Sequence, residues 1–361
     1  MYQKQITDKE AGQRFDKYLH KLLPGAGTSF LYKMLRKKNI TLNGKKADGS
    51  EKIAVGDSVS IFFSEETLHK FMKKETAGAQ NSCEEFQKAY QKYSSVNIIY
   101  ENDHILLADK PAGVLSQKAE RTDLSLNEWL IGYLLQTGFM KEEETDTFKP
   151  SVCNRLDRNT SGIVLCAKSL KGAQLLGDLL QNRTLHKCYQ LYVQGEVKEE
   201  QLIEGYLIKD EEHNKVSVKP IEQTASLESV NRHKNDQKSQ CIRHSEKKQN
   251  ILKESYIKTK YKPLKVYGDK TLLEVELLTG KPHQIRAHLA SIGHPLLGDY
   301  KYGNKAWNDR YQKTYHIKSQ LLHAYKVVFP KLDAPFEDIS GRTFYAKLPD
   351  IFNKITQETI M

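Results

Sequence analysis

The chain has 361 residues, 39% of them hydrophobic, enough to bury a sizeable core and to form two or three domains, which excludes a single small module. Lysine and arginine number 56 against 45 aspartate and glutamate, a formal charge of +11 with a pI near 9.1, and that balance favours a polyanionic partner, either nucleic acid or an anionic membrane surface. Five cysteines without a C-x-x-C pair fit neither a disulfide framework nor a zinc ribbon, so they read as reduced thiols in a cytoplasmic protein, Cys153, Cys166 and Cys188 serving as small apolar fillers.

The N-terminus "MYQKQITDKE" lacks the apolar region of a signal peptide, and no stretch approaches the length of a membrane span, so a soluble chain with no membrane partner is expected. Residues 1–63 hold 12 basic against 6 acidic residues, and this net +6 in a sixth of the chain marks a separate basic module. Within it, "GQRFDKYLHKLL" sets Phe15, Leu19 and Leu22 at helical spacing, and "TSFLYKMLRKK" follows a Thr-Ser cap signal with Leu31, Met34 and Leu35 on one face. Lys33, Arg36 and Lys37 fall on the other face, as a solvated surface or a nucleic-acid contact. "ITLNGKK" and "DSVSIFF" alternate as short strands, with Asn-Gly as a turn signal.

Residues 64–95 are polar and without sustained period, which predicts a linker, helical near its end, that lets the flanking parts move. "NIIYENDHILLADKPAG" reads as strand, turn, strand and a Pro-Ala-Gly turn, and "DLSLNEWLIGYLL" as a capped helix with Leu126, Trp129, Leu130, Tyr133 and Leu134 inward. In "SVCNRLDRNTSGIVLCAKS" the apolar run "IVLCA" has strand length, and the turn-rich segment before it places Asp157 on a loop anchored by a buried strand. A helix follows in "SLKGAQLLGDLLQ", and "HKCYQLYVQG" alternates with Lys187, Tyr189, Leu191 and Val193 on one face. Residues 222–255 contain no Phe, Tyr or Trp and are rich in Lys, Gln, Ser and Asn, a composition that cannot offset the entropy of ordering, so a disordered insertion is expected there. "TLLEVELLTGKPHQIRAHLASIGHPLLGDYKYG" gives a strand, a Gly-Lys-Pro turn and a helix ending near Gly293.

Phosphate-loop, dinucleotide, zinc-protease and serine-hydrolase signatures are all missing. His283 and His288, five apart, do not share a helix face and make a poor metal pair. What remains is one carboxylate, Asp157, flanked by Arg155 and Arg158, a tyrosine on a strand, Tyr189, and a His-Gln-Ile-Arg run opening a helix. Residue types alone leave Asp157 as either a reactive carboxylate or a member of a structural ion pair, and the latter is the commoner fate of such loop residues.

Four separated stretches resemble, in order, the signatures of the RluA-type RNA pseudouridine synthases: "IIYENDHILLADKPAGVLS", "NRLDRNTSGIVLCAKS", "KCYQLYVQG" and "LLTGKPHQIRAHLASIGHPLLGDYKYG". Arg14 to Phe63 resembles the small RNA-binding module named after the fourth protein of the small ribosomal subunit. The resemblance implies an α/β fold of the α+β type: a mixed, largely antiparallel sheet in a catalytic domain over 96–361, with a small N-terminal α+β RNA-binding module over 1–63. It implies that Asp157, Tyr189 and Arg286 are catalytic, the last pairing with the aspartate and Tyr189 stacking on the base. It gives Arg155 the space left by a flipped uridine, and Arg158, His283, Lys33, Arg36 and Lys37 RNA contacts. No cofactor or metal is implied, because isomerisation needs neither redox nor group transfer. RNA is the expected partner, large-subunit ribosomal RNA by the presence of the module, and a monomer the expected state. Asn154 for the usual His, Leu191 for Ala and Lys281-Pro282 for Arg-Thr or Arg-Ser depart from the pattern. Two other readings are a non-catalytic RNA-binding or ribosome-assembly factor and a synthase acting on tRNA.

Overall fold

In the computed structural model, which describes residues 1–72, 79–210, 215–221 and 254–356, the N-terminal residues close around a core of their own. Strand β1 (Tyr2–Gln5), helices α1 (Phe15–Leu22) and α2 (Thr28–Arg36), and strands β2 (Ile40–Leu42), β3 (Lys45–Lys46) and β4 (Ser58–Ile61) build it, the strands pairing antiparallel in the order β1-β4-β2-β3. The residues that helical spacing singles out, Phe15, Leu19 and Leu22 on α1 and Leu31, Met34 and Leu35 on α2, are all buried. Asn43 and Gly44 both take positive φ, 54° and 69°, the geometry of a two-residue hairpin turn.

The stretch expected as a linker carries two helices, α3 (Glu65–Met72) and α4 (Ala79–Lys92). Phe71 of α3 joins Phe30 and Phe63 in an aromatic cluster on the N-terminal core, with centroids 4.7 to 6.2 Å apart. Helix α4 buries Phe86 and Ala89 against α5 (Leu126–Gln136). The two helices approach so closely that a Cβ on Gly132 would stand 2.2 Å from the Phe86 carbonyl oxygen. Few apolar positions per helix suffice here, which is why composition suggested a linker. Further polar contacts tie the N-terminal residues down. Buried Glu10 accepts from Lys4 Nζ at 2.9 Å and from the Thr147 hydroxyl, Lys9 pairs with Glu144 at 3.0 Å, and Lys171 with Asp8 at 2.7 Å.

Strands β5 (Asn97–Glu101), β6 (Ile105–Lys110), β7 (Ser151–Val152) and β8 (Ser161–Ala167) pair antiparallel, with β6 central between β5 and β8. Helix α6 (Leu170–Gln181) is capped by Ser169 Oγ, which accepts from Gly172 N, and it buries Leu176 and Leu179 against Ile105, Leu107, Ile163 and Leu165. Strands β9 (His186–Gln194), β10 (Gln201–Asp210), β11 (Lys215–Pro220), β12 (Glu254–Tyr267) and β13 (Lys270–Leu277) form an antiparallel run in the order β11-β10-β12-β13-β9. The insertion expected over 222–255 lies outside the described residues, except that 254 and 255 open β12. Helices α7 (Gln284–Ser291) and α8 (Lys305–Tyr315) follow; then β14 (Leu322–Val328) runs parallel to β8, β15 (Thr343–Tyr345) pairs antiparallel with β14, and α9 (Asp350–Lys354) closes the described chain. The sheet is therefore mixed and mostly antiparallel, as the resemblance implied. By contacts the chain divides into two bodies, Met1–Leu185 with His323–Leu348, and His186–Leu322 with Pro349–Met361.

Candidate active site

In the first body Asp157 is half-buried on the loop ahead of β8, between exposed Arg155 and Arg158. The peptide on each side of it is fixed by the turn that follows β6. On the N-terminal side, the Ser116 hydroxyl donates to Leu156 O at 2.9 Å and accepts from Leu156 N at 3.0 Å. On the C-terminal side, Arg158 O accepts from Lys110 Nζ at 3.0 Å and from Gly113 N at 2.9 Å, and the same ammonium donates to Pro111 O and Val114 O. Thr160 N closes the loop onto Asp157 O at 3.0 Å. Asn154, the departure from the family's usual His, accepts from Leu165 N at 2.7 Å and so stitches the start of the loop to β8. Gly162, with φ at 108°, admits β14: a Cβ there would lie 2.2 Å from Ala324 O, so only glycine allows that parallel pairing directly behind the loop. Lys110 is fully buried, and burial pushes its ammonium down to about 7, the carboxylates of Asp157 and Asp109 opposing that fall.

Sequence reasoning missed Lys110 and Ser116 as partners of the loop. One signal was present, a lysine ending the apolar run of β6, since a buried lysine demands acceptors.

In the second body Tyr189 is buried on β9 opposite Val275 of β13. Strand β9 is buried on both faces, Cys188 and Tyr192 included, so the alternation read from its sequence describes only half of its packing. His283 precedes α7 in a left-handed conformation, φ 56°, with Nδ1 2.8 Å from the Tyr302 hydroxyl. One turn on, buried Arg286 is gripped by Asp299, Nε to Oδ2 at 2.7 Å and Nη2 to Oδ1 at 2.9 Å, and its guanidinium carbon lies 5.2 Å from the Tyr302 ring centre. Asp299 is the acidic partner that the sequence reading passed over. The helix start is fixed as well: Gln284 Nε2 donates to Lys258 O at 3.1 Å and to Thr259 Oγ1 at 3.0 Å, while its Oε1 accepts from Thr279 Oγ1 at 2.9 Å. His288 is a buried histidine bonded to Thr259 Oγ1, and burial pushes it down to about 4. Lys33 and Arg36 on α2 and its C-cap Lys37 are exposed, away from the apolar face.

The loop thus carries one carboxylate between two exposed arginines, with hydrogen bonds on both sides of it. The fold resembles that of Human RNA Pseudouridylate Synthase Domain Containing 4, with a TM-score of 0.54 at 18% identity, covering 74% of this chain and 94% of that one. The RNA pseudouridylate synthase family model matches residues 104–291, and the chain belongs to that family and is an isomerase. Among similar proteins are Ribosomal large subunit pseudouridine synthase C of Vibrio vulnificus, 28% identical over 337 residues that cover 92% of this chain and 90% of that protein, and its namesake of Rickettsia bellii, 28% identical with 95% and 96% covered. Among the described residues no helix is long and apolar enough to cross a membrane.

Proposed function

We propose that the protein isomerises uridine to pseudouridine in large-subunit ribosomal RNA, with Asp157 as the reactive carboxylate. The observation that supports this most is the clamped loop: both peptides next to Asp157 are held by main-chain and side-chain bonds, which leaves the carboxylate itself as the group the loop presents. The full-length likeness to proteins named for the large ribosomal subunit supports the choice of RNA.

A uridine must leave the stack before its glycosidic bond is accessible, at a cost of a few kcal/mol that protein contacts offset. Arg155 fills the vacated space, and Arg158 and His283 contact the RNA. Asp157 acts at the anomeric carbon, by attack or by triggering elimination; uracil then rotates and rejoins through carbon-5. Tyr189 stacks on the uracil and takes the carbon-5 proton, and Arg286 is the third catalytic residue. The N-terminal residues act as an RNA-binding module like that of the fourth small-subunit protein, presenting Lys33, Arg36 and Lys37. The protein works in the cytoplasm as a monomer.

Two measurements test this reading. Total unmodified RNA tritiated at uracil carbon-5 releases its label on incubation with the protein; absence of release reduces it to an RNA-binding factor. Pseudouridine mapping of ribosomal RNA and tRNA from a strain lacking the gene loses a position in the large-subunit RNA, and loss from tRNA alone overturns the assignment.

A further inference from the structure

We infer that Asp299 is a positioning residue for the reaction, acting through Arg286, an inference that rests on the reading of Arg286 as catalytic. The Asp299 side chain is fully buried and accepts four hydrogen bonds: from Arg286 Nε at 2.7 Å and Nη2 at 2.9 Å, from Lys301 N at 2.9 Å and from Tyr302 N at 3.2 Å. Three of these reach Oδ1 and one reaches Oδ2, so both oxygens are engaged within one body.

A buried ion pair is a poor stabiliser, because desolvating both charges consumes most of their attraction, and apolar residues of equal volume do as well or better. As an orienting device it is effective. Two parallel bonds on the Nε–Nη2 edge fix the plane of the guanidinium, and with it the direction of the opposite edge. The carboxylate has its own supports. Gly298, with φ at 78°, turns the chain where a Cβ would stand 2.2 Å from Ser319 O. Asn308 accepts from Gly298 N at 2.9 Å and donates to Asp299 O at 3.0 Å, and Gly303 N reaches the same oxygen at 2.9 Å. Tyr302 covers the guanidinium, and its hydroxyl is held by His283 Nδ1 and Val216 N. Backbone thus fixes Asp299, and Asp299 fixes Arg286.

The test is Asp299→Asn in the full chain, assayed by tritium release on ribosomal RNA. The substitution keeps the volume and an acceptor for the two backbone N–H groups, but removes the charge and one guanidinium bond. Misplacing the arginine is expected to lower the kcat of the folded enzyme roughly 100-fold with KM little changed, while the melting temperature falls because the buried guanidinium loses its counter-charge. Asp299→Glu, which restores the charge, recovers part of that loss. A folded Asp299→Asn enzyme with wild-type kcat overturns the inference when Arg286→Met is inactive in the same assay. A fully active Arg286→Met enzyme overturns the reading of Arg286 and the inference with it, so the two failures are told apart. If Asp299→Asn does not fold, Asn308→Ala, which loosens the Asp299 peptide without touching Arg286, lowers kcat at unchanged KM, and unchanged kcat overturns the inference.

Discussion

At the scale of single residues, the loop around Asp157 separates a charge from its scaffold. The scaffold bonds run through the main chain of Leu156, Asp157 and Arg158, and replacing the Asp157 side chain leaves them all in place. Asp157→Asn is therefore expected to melt near the wild-type temperature and to bind RNA with similar affinity while losing turnover; an asparagine variant that is well folded and still isomerises uridine at a substantial rate removes Asp157 from the mechanism. Lys110→Met makes the converse change. Three carbonyls lose a common donor; Arg158 O keeps Gly113 N, but each buried group left unsatisfied costs about 1 to 3 kcal/mol, so the melting temperature and kcat fall together while RNA affinity holds. Arginine does not rescue it, because a planar fork cannot reach three carbonyls arranged around one ammonium; full activity in Lys110→Arg refutes that picture. Asp157 was legible in the sequence because its neighbours form a motif. Lys110, Ser116 and Asp299 were not, because what they do depends on a carbonyl or guanidinium that comes near only when the chain has folded.

At the scale of elements, helical period carried the reading and mixed polarity defeated it. Helices α1, α2 and α6 repeat apolar residues every three or four positions, and each buries the face that repeat defines; α5 buries Leu126, Trp129, Leu130 and Leu134 as expected but also Glu128, Ile131 and Gly132, and leaves Tyr133 half-buried. Strands β10 and β12 were passed over because one of their faces is solvated and salt-bridged, Lys258 to Glu204 at 2.7 Å and Lys260 to Glu200 at 2.7 Å, so charge hides the strand pattern. Helix α2 combines both properties, an apolar face in the N-terminal core and an exposed stripe of Lys33 and Arg36 that continues into its C-cap Lys37. Each phosphate contact contributes a counterion-release slope, so converting all three to glutamine should weaken RNA binding and flatten the log affinity against log salt plot by about 2 to 3 units, with the active site intact. A slope equal to that of the wild type would show the stripe to be only a solvated face.

At the scale of the whole molecule, stability is tied to pH by a buried histidine in each body. In the first, His323 is buried with Nδ1 2.8 Å from Ser161 Oγ; in the second, His288 is buried with Nδ1 3.0 Å from Thr259 Oγ1. Burial lowers both from the ordinary 6.5 to about 4. Between those values the unfolded chain binds protons that the folded chain refuses. The stability each neutral imidazole contributes is therefore fully present above about pH 6.5, is lost as pH falls, and is gone by about pH 4. A shift of that size corresponds to roughly 3 kcal/mol for each group, large against the ~5 to 15 kcal/mol by which domains are stable. The melting temperature should thus drop by roughly 10 °C between pH 7 and pH 4.5, beginning near pH 6.5, although Asp109, whose carboxyl burial pushes up to about 6, offsets part of the fall. His288→Gln together with His323→Gln is expected to be less stable at pH 7 yet flatter between pH 6.5 and 5, because an amide can replace a ring hydrogen bond but takes up no proton. A wild-type melting temperature indifferent to pH over that interval would mean that these imidazoles are protonated in the fold, and the acid sensitivity would then have to reside in the carboxylates instead.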